Sequence, residues 1–405
     1  MNSNRTKPIV IRVVQEDWSP LRNLYRNAGR FSQQTGIEVQ VAFSNFEFWW
    51  PDLEQAFHSK QPSFDLLGCD EMILWHFAAK GLVEPLDGYI RADGYSLEDY
   101  QERALQAATV NGTIYGLPHV FDPNMLLYRE DLLAQHGIEV PQTFTALGDA
   151  ARTLTRENGC GIVLRGSPFE SFMECGMSIA ASWGVEWFDA NGKPIFDTPA
   201  HVEALSFWVD LLKKTGPSDV AKFGYEQSMS FFRSGRAAMS IMQISEAAIG
   251  MRRGGIVADH TRVALVPSSP IGRRCAGFYG PVYAIPMHAP VPVKRAAWQL
   301  AKFLNEPEQL IHDAAQNAFI PTARKSLLKD KRFCQHFRPD LIETFKQSLS
   351  CAEPERPRSP FGATVAMVLS RAYHAALIGA KPPAQAIREA QAELTNLSPT
   401  TSRAF

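Results

Sequence analysis

With 405 residues, 45% of them hydrophobic and 20% charged, the chain can bury two cores or one large one and is not of disordered composition. Its formal net charge of -1 excludes bulk attraction to nucleic acid or an anionic membrane, so any partner has to be recognised locally. No apolar run reaches the roughly 18 residues of a membrane span.

Residues 1–8 hold no apolar segment, so no signal peptide is expected in this chain; it is either cytosolic or a mature form behind a new Met. Ile9 to Val14 is an apolar, β-branched run apart from Arg12, read as a strand buried on both faces of a parallel sheet. Leu21, Leu24, Tyr25, Ala28 and Phe31 then mark the buried face of a helix that stops at Gly36. Glu38 to Phe43 is the next strand, and the loop Asn45 to Trp50 follows it. Phe64 to Gly68 is a third strand, and Asp70 is placed to cap the helix that runs on to Gly81. Such alternation predicts right-handed crossovers, a parallel sheet, and ligands beyond the carboxyl ends of its strands. Those ends carry Trp18, Asn45 to Trp50, and Asp70-Glu71.

Asn111-Gly112 is a tight-turn dipeptide, since both residues tolerate positive φ. Two extended runs follow about Pro118, from Ile114 to Leu117 and from Met125 to Tyr128, with Asp122 between them. Locally this is either a hairpin or a hinge that carries the chain from one compact unit to another. Helical patterns then dominate, over 144–156, 171–183, 200–214 and 226–234, with a hairpin turn signal at Asp189 to Lys193. Ala237 to Met242 and Val263 to Val266 are further strands. Gly277 to Pro286 and Ala318 to Thr322 are two more extended connections, on either side of an amphipathic helix over Val293 to Leu304. Glu353 to Pro360 is a Pro-rich surface loop, and two helices close the chain.

Phosphate-cradling, zincin and nucleophile-elbow motifs are absent, the histidines form no ligand cluster, and no CxxC pair occurs among the six cysteines, which read as scattered core residues. Aromatic residues stand instead beside polar groups at loop ends: Trp18, Trp49, Trp50, Trp183, Phe278 and Tyr279. A sugar offers apolar C–H faces and hydroxyl edges, so platforms of this kind with Asp, Asn, Gln and Arg suit it. Core packing is the competing role for about half of them.

The linked segments Asp65 to Asp87, ending Gly81-Leu-Val-Glu-Pro-Leu-Asp87, then Asn111 to Leu133, Pro141 to Phe144, Phe232 to Met239, Gly277 to Pro286 and Phe319 to Thr322 together resemble the solute-binding proteins of ABC sugar importers, the maltose-binding-protein-like group. The resemblance implies an α/β fold of the type II periplasmic-binding-protein kind, two lobes joined by a multi-crossing hinge with the ligand cleft between them. It implies an N-terminal lobe of 1–116 and 281–320, a C-terminal lobe of 117–266 and 331–405, and crossings over 267–280 and 321–330. Ligand-binding residues carried over from it are Trp18, Asn45, Trp49, Asp70, Asp122, Trp183, Gln243, Phe278, Tyr279, Arg358 and Phe361. It also implies a carbohydrate or polyol ligand, no catalysis, no cofactor or metal, a membrane permease as partner, a monomer, and a periplasmic or extracellular location with the export segment already removed. Cationic ligands caged by Asp70, Glu71 and Asp122, anionic sugar derivatives held by Arg273, Arg274 or Arg358, and a carbohydrate-active enzyme using Asp70 or Glu71 with Asp122 are the other readings.

Overall fold

The computed structural model describes residues 8–17, 22, 25, 28–44, 53–57, 63–173, 175–189, 193–250, 257–316, 321–354 and 359–397. The chain forms two compact units, one of 1–121 with 280–336 and the other of 122–279 with 337–405. It therefore passes from unit to unit three times, after Phe121, Tyr279 and His336. In chain order the first unit receives strands β1 (Val10–Glu16), β2 (Glu38–Ser44), β3 (Leu66–Cys69), β4 (Thr109–Val110), β5 (Thr113–Ile114) and β6 (Leu117–Pro118). The second then receives β7 (Asp122–Arg129), β8 (Cys160–Val163), β9 (Ala237–Gln243), β10 (Thr261–Leu265) and β11 (Ala276–Tyr279). The chain returns with β12 (Val282–Ala284) in the first unit and ends with β13 (Ala352–Pro354) in the second.

In the first unit, β1 pairs in parallel with β2 and β3, the arrangement expected of β-branched runs between helical connections. The sheet order is β2-β1-β3-β12-β6. One face of β3 and β12 packs on Phe57, Phe64, Ile73 and Phe77. Pro118 lies in β6 at the edge of this sheet, where a missing N–H breaks no ladder. Asn111 and Gly112 turn the β4–β5 hairpin with φ of 49° and 81°, so the dipeptide serves a hairpin and the crossing lies further on.

In the second unit the order is β13-β11-β7-β9-β8, with β10 also on β7. β8 and β9 run parallel, while β7 is antiparallel to β9, β10 and β11. The helix Phe144–Asn158 covers β8 so closely that a Cβ on Gly161 would meet the Ala151 carbonyl oxygen at 2.0 Å.

The unit boundaries differ from the expected ones for traceable reasons. Residues 117–121 stay in the first unit because Leu117 and Pro118 pair with Tyr283 and Val282, and Phe121 donates its N–H to the Pro321 carbonyl at 2.9 Å. Residues 267–279 belong to the second, where Ser269 donates to the Ser182 carbonyl at 2.6 Å and β11 joins β7. Residues 321–330 belong to the first. There Arg324 donates to Tyr95 Oη at 2.6 Å and lies over the Tyr100 ring at 4.3 Å, and Ser326 N–H donates to Asp99 at 2.8 Å. The third passage consequently falls at 336–337 instead of within 321–330.

Candidate functional site

In the second unit, polar side chains collect where β7 begins and β9 ends. Because β7 and β9 are antiparallel, with Asn124 opposite Gln243, the start of β7 meets the helix Ile244–Gly250 that follows β9 without a linker. Asp122, fully buried, accepts hydrogen bonds there from Ser245 N–H at 3.1 Å and from the Ser245 hydroxyl at 2.6 Å. Its opposite residue on β11 is Tyr279. Asn124 donates to Ser178 Oγ at 2.9 Å, and the same oxygen receives the Gly277 N–H at 3.0 Å, which ties β7 and β11 to the helix Cys175–Ser182. The geometry thus brings Asp122, Gln243 and Tyr279 to one edge of one sheet.

The carboxyl end of β8, parallel to β9, brings Arg165 to the same edge. Arg165 donates to Glu170 Oε2 at 2.9 Å, and its guanidinium lies 4.9 Å from the centre of the Tyr225 ring. The Tyr225 N–H donates to the same Glu170 oxygen at 2.9 Å, and the Tyr225 hydroxyl donates to Glu246, a buried residue directly after Ser245. A Cβ on Gly224 would stand 2.4 Å from Glu170 Oε1, so the glycine is what lets that carboxylate reach the Tyr225 N–H. Phe169, between these groups in sequence, is 60% exposed. Arg165, Phe169, Tyr225 and Glu246 were not among the expected site residues. The signal for two of them is the one that singles out Asp70, a polar residue just past a buried strand; it fails at Arg165 because β8 has only four residues and begins at Cys160-Gly161 beside a helical pattern.

The other expected residues have other surroundings. Trp183, 7% exposed, has rings for neighbours: Phe144 at 5.2 Å and Phe207 at 5.3 Å between centroids. Phe278 is fully buried in β11 opposite Pro123. Phe361 is half-buried ahead of the helix Gly362–Leu377, its N–H donating to Ser359 Oγ at 3.2 Å. Arg273 is exposed, and Arg274 donates to the Gln142 carbonyl at 3.3 Å.

In the first unit, Asp70 is fully buried and caps the helix Glu71–Ala79 by accepting from Ile73 N–H at 2.8 Å. Glu16 and Glu71, also buried, stand close enough with Asp70 to add to the burial that raises the Cys69 thiol well above its ordinary range. On the other face of the sheet, Gln15 accepts from Tyr25 Oη at 3.0 Å and donates to the Gly68 carbonyl at 3.1 Å. His119 is stacked on Tyr283 at 4.0 Å, and burial pushes its imidazole down to about 3. Trp18, Asn45, Trp49, Trp50 and Arg358 lie outside the described residues. Among the described residues no group of three His, Cys, Asp or Glu side chains is placed to hold a metal ion.

Residues 17–311 match the family model described as bacterial extracellular solute-binding protein. The chain belongs to this family. A mannitol-binding protein of Pseudomonas aeruginosa is 32% identical over 55% of this chain and 52% of its own length, so the match spans about half of that relative. Maltose-bound MalE3 of T. maritima superposes with a TM-score of 0.86 at 27% identity, over 96% of this chain and all of that one. The solute-binding protein of an ABC transporter from Agrobacterium radiobacter, in complex with ribitol, superposes with a TM-score of 0.87 at 24% identity, again over 96% of this chain and all of that one. The expected family and its two-unit α/β fold of the type II periplasmic sugar-binding kind are therefore both borne out. Among the described residues no helix is long and apolar enough to cross a membrane.

Proposed function

We propose that this chain is the substrate-binding component of an ABC importer, taking up a monosaccharide, short oligosaccharide or polyol outside the cytoplasm and passing it to a membrane permease. It acts as a monomer and performs no catalytic step in this reading, and the three chain crossings form the hinge of a closing motion that ligand binding biases. The observation that carries the reading is the family match over 17–311, and the relatives that bind mannitol and maltose point to hydroxyl-rich ligands. The polar edge at Asp122, Gln243 and Tyr279 agrees with it, because a carboxylate, an amide and a phenol can accept from and donate to sugar hydroxyls. Asp70, Phe278, Trp183 and Phe361, and outside the described residues Trp18, Asn45, Trp49 and Arg358, complete the proposed ligand set. Calorimetry of the full chain against D-mannitol, ribitol, D-glucose and maltose tests it. Binding of at least one is expected; no binding by any of them, together with turnover of a glycoside, would overturn it.

The carboxylates Glu16, Asp70 and Glu71 in one unit, and Asp122 and Glu246 in the other, favour a cationic ligand as the second reading. Asp122→Asn separates the two, since it should weaken a polyamine far more than a neutral sugar.

A further inference from the structure

Two of the six cysteines, Cys275 and Cys351, stand side by side at the start of neighbouring strands. β11 and β13 run parallel, and their first pair in register is Ala276 with Ala352. Cys275 and Cys351 are the residues directly before that pair. The ladder holds them there, because the Ala276 N–H donates to the Cys351 carbonyl at 2.9 Å. Neighbouring strands lie about 4.8 Å apart, within the roughly 4.4–6.8 Å between Cα atoms that a disulfide spans. The Cys351 sulfur also faces this strand: burial raises its thiol above the ordinary range, and the Ala276 N–H and the Arg274 guanidinium offset part of that rise. Cys275 is buried, with its N–H on Ser182 Oγ at 3.0 Å, whereas Cys351 is half-buried. The other four cysteines belong to other elements: Cys69 to β3, Cys160 to β8, Cys175 to the helix Cys175–Ser182 and Cys334 to the helix Lys331–Cys334.

We infer that Cys275 and Cys351 are a thiol pair that closes to a disulfide under an external disulfide oxidant and so latches β13 onto β11. β13 is a strand that such a link would steady. It has three residues, it lies at the edge of its sheet, and one of the three is Pro354, which has no N–H to give to a ladder. The link would also close a chain loop that contains all of 280–336, joining the strand before the second passage between units to the strand after the third. The difference in burial orders the chemistry. Cys351 is the thiol that a small disulfide can reach, and its thiolate attacks one sulfur of oxidised glutathione. One glutathione leaves as a thiol with the Cys351 proton. The Cys275 sulfur then attacks Cys351 and displaces the second glutathione, which takes the Cys275 proton. Two protein thiols are oxidised to one disulfide, and one glutathione disulfide is reduced to two thiols.

The test starts from the fully reduced chain, folded and freed of reductant, and exposes it to oxidised glutathione. Intact mass should fall by two hydrogens, and a tryptic map should show one linked peptide pair that holds Cys275 and Cys351. Hydrogen exchange over 351–354 should then slow by about 10-fold or more, because the edge strand can no longer open alone. Cys351→Ser should lose the link, and Cys334→Ser, at another half-buried cysteine, should keep it. If Cys275→Ala fails to fold, Cys351→Ser decides, since it changes a half-buried sulfur to an oxygen. A chain that keeps all its thiols overturns the inference, as does one that stops at a glutathione adduct on Cys351 or links a different pair. A Cys275–Cys351 link that leaves exchange over 351–354 unchanged overturns the latch.

Discussion

Asp122 and His119 lie three residues apart on either side of the first passage between units, and both are buried, the first hydrogen-bonded and the second not. Asp122 receives two hydrogen bonds from a single residue, Ser245. Ser245→Ala removes the hydroxyl donor and leaves a buried carboxyl group short of a partner, a change worth about 1.5–3 kcal/mol for a bond to a charged acceptor. Urea unfolding should show that loss, and calorimetry should show weaker carbohydrate binding because Asp122 is no longer held in place. Unchanged values in both would remove Asp122 from the site.

His119 has neither ring nitrogen hydrogen-bonded, so its neutral form is the one that fits against Tyr283. Its folded-state value of about 3 lies below the ordinary 6.5, and the unfolded chain therefore takes up the proton first. The stability this group supports is fully present above pH 6.5 and is lost as the pH falls toward 3. His201, pushed down to about 4 by burial, acts in the same direction in the other unit. His119→Phe keeps a stacking ring and has nothing to protonate. Melting temperatures measured from pH 7 to pH 4 should fall less steeply for the variant than for the wild type; parallel slopes would refute the assignment.

Among elements, those that were legible in the sequence are the ones whose pattern and burial coincide. β3 is buried at every position, β1 is largely apolar with buried and less buried positions mixed, β2 alternates as a strand at the end of the sheet does, and the helices Pro199–Thr215 and Val291–Leu304 show a regular apolar face between clear ends. β8 was hidden because four residues with a glycine among them carry no periodicity, and with it went Arg165. Trp183 was legible as a loop-end aromatic, but its packing against Phe144 and Phe207 was not, because that contact is tertiary. The third passage was expected too early for a similar reason. Nothing local marks Arg324 as bound to Tyr95 and Tyr100, some 225 residues before it. β8 also supplies the sharpest test of an element. Gly161→Ala would drive a methyl group into the Ala151 carbonyl and should cost about 3 kcal/mol or more, whereas Thr143→Ala at the start of the same helix removes one capping bond and should cost about 1 kcal/mol. A Gly161→Ala variant no less stable than Thr143→Ala in urea would show that β8 does not sit against this helix.

At the scale of the whole molecule, stability comes from two cores and, on the carbohydrate reading, from the ligand. Among the described residues no disulfide is drawn between cysteines, and Cys69, Cys175 and Cys275 are buried. With no cross-link among the described residues, packing and ligand are expected to carry what disulfides carry in many exported proteins. Two measurements on one sample follow. Thiol titration should count six groups in denaturant and clearly fewer in the native state, and a reducing agent should leave the melting temperature unchanged. A bound carbohydrate at 100 times its Kd should then add about 2.7 kcal/mol, the amount mass action supplies when only the folded chain binds. If reduction lowers the melting temperature, a disulfide exists that this structure does not contain. If the thiols count six while every probe of the panel leaves the melt unmoved, the fold stands and the carbohydrate reading falls.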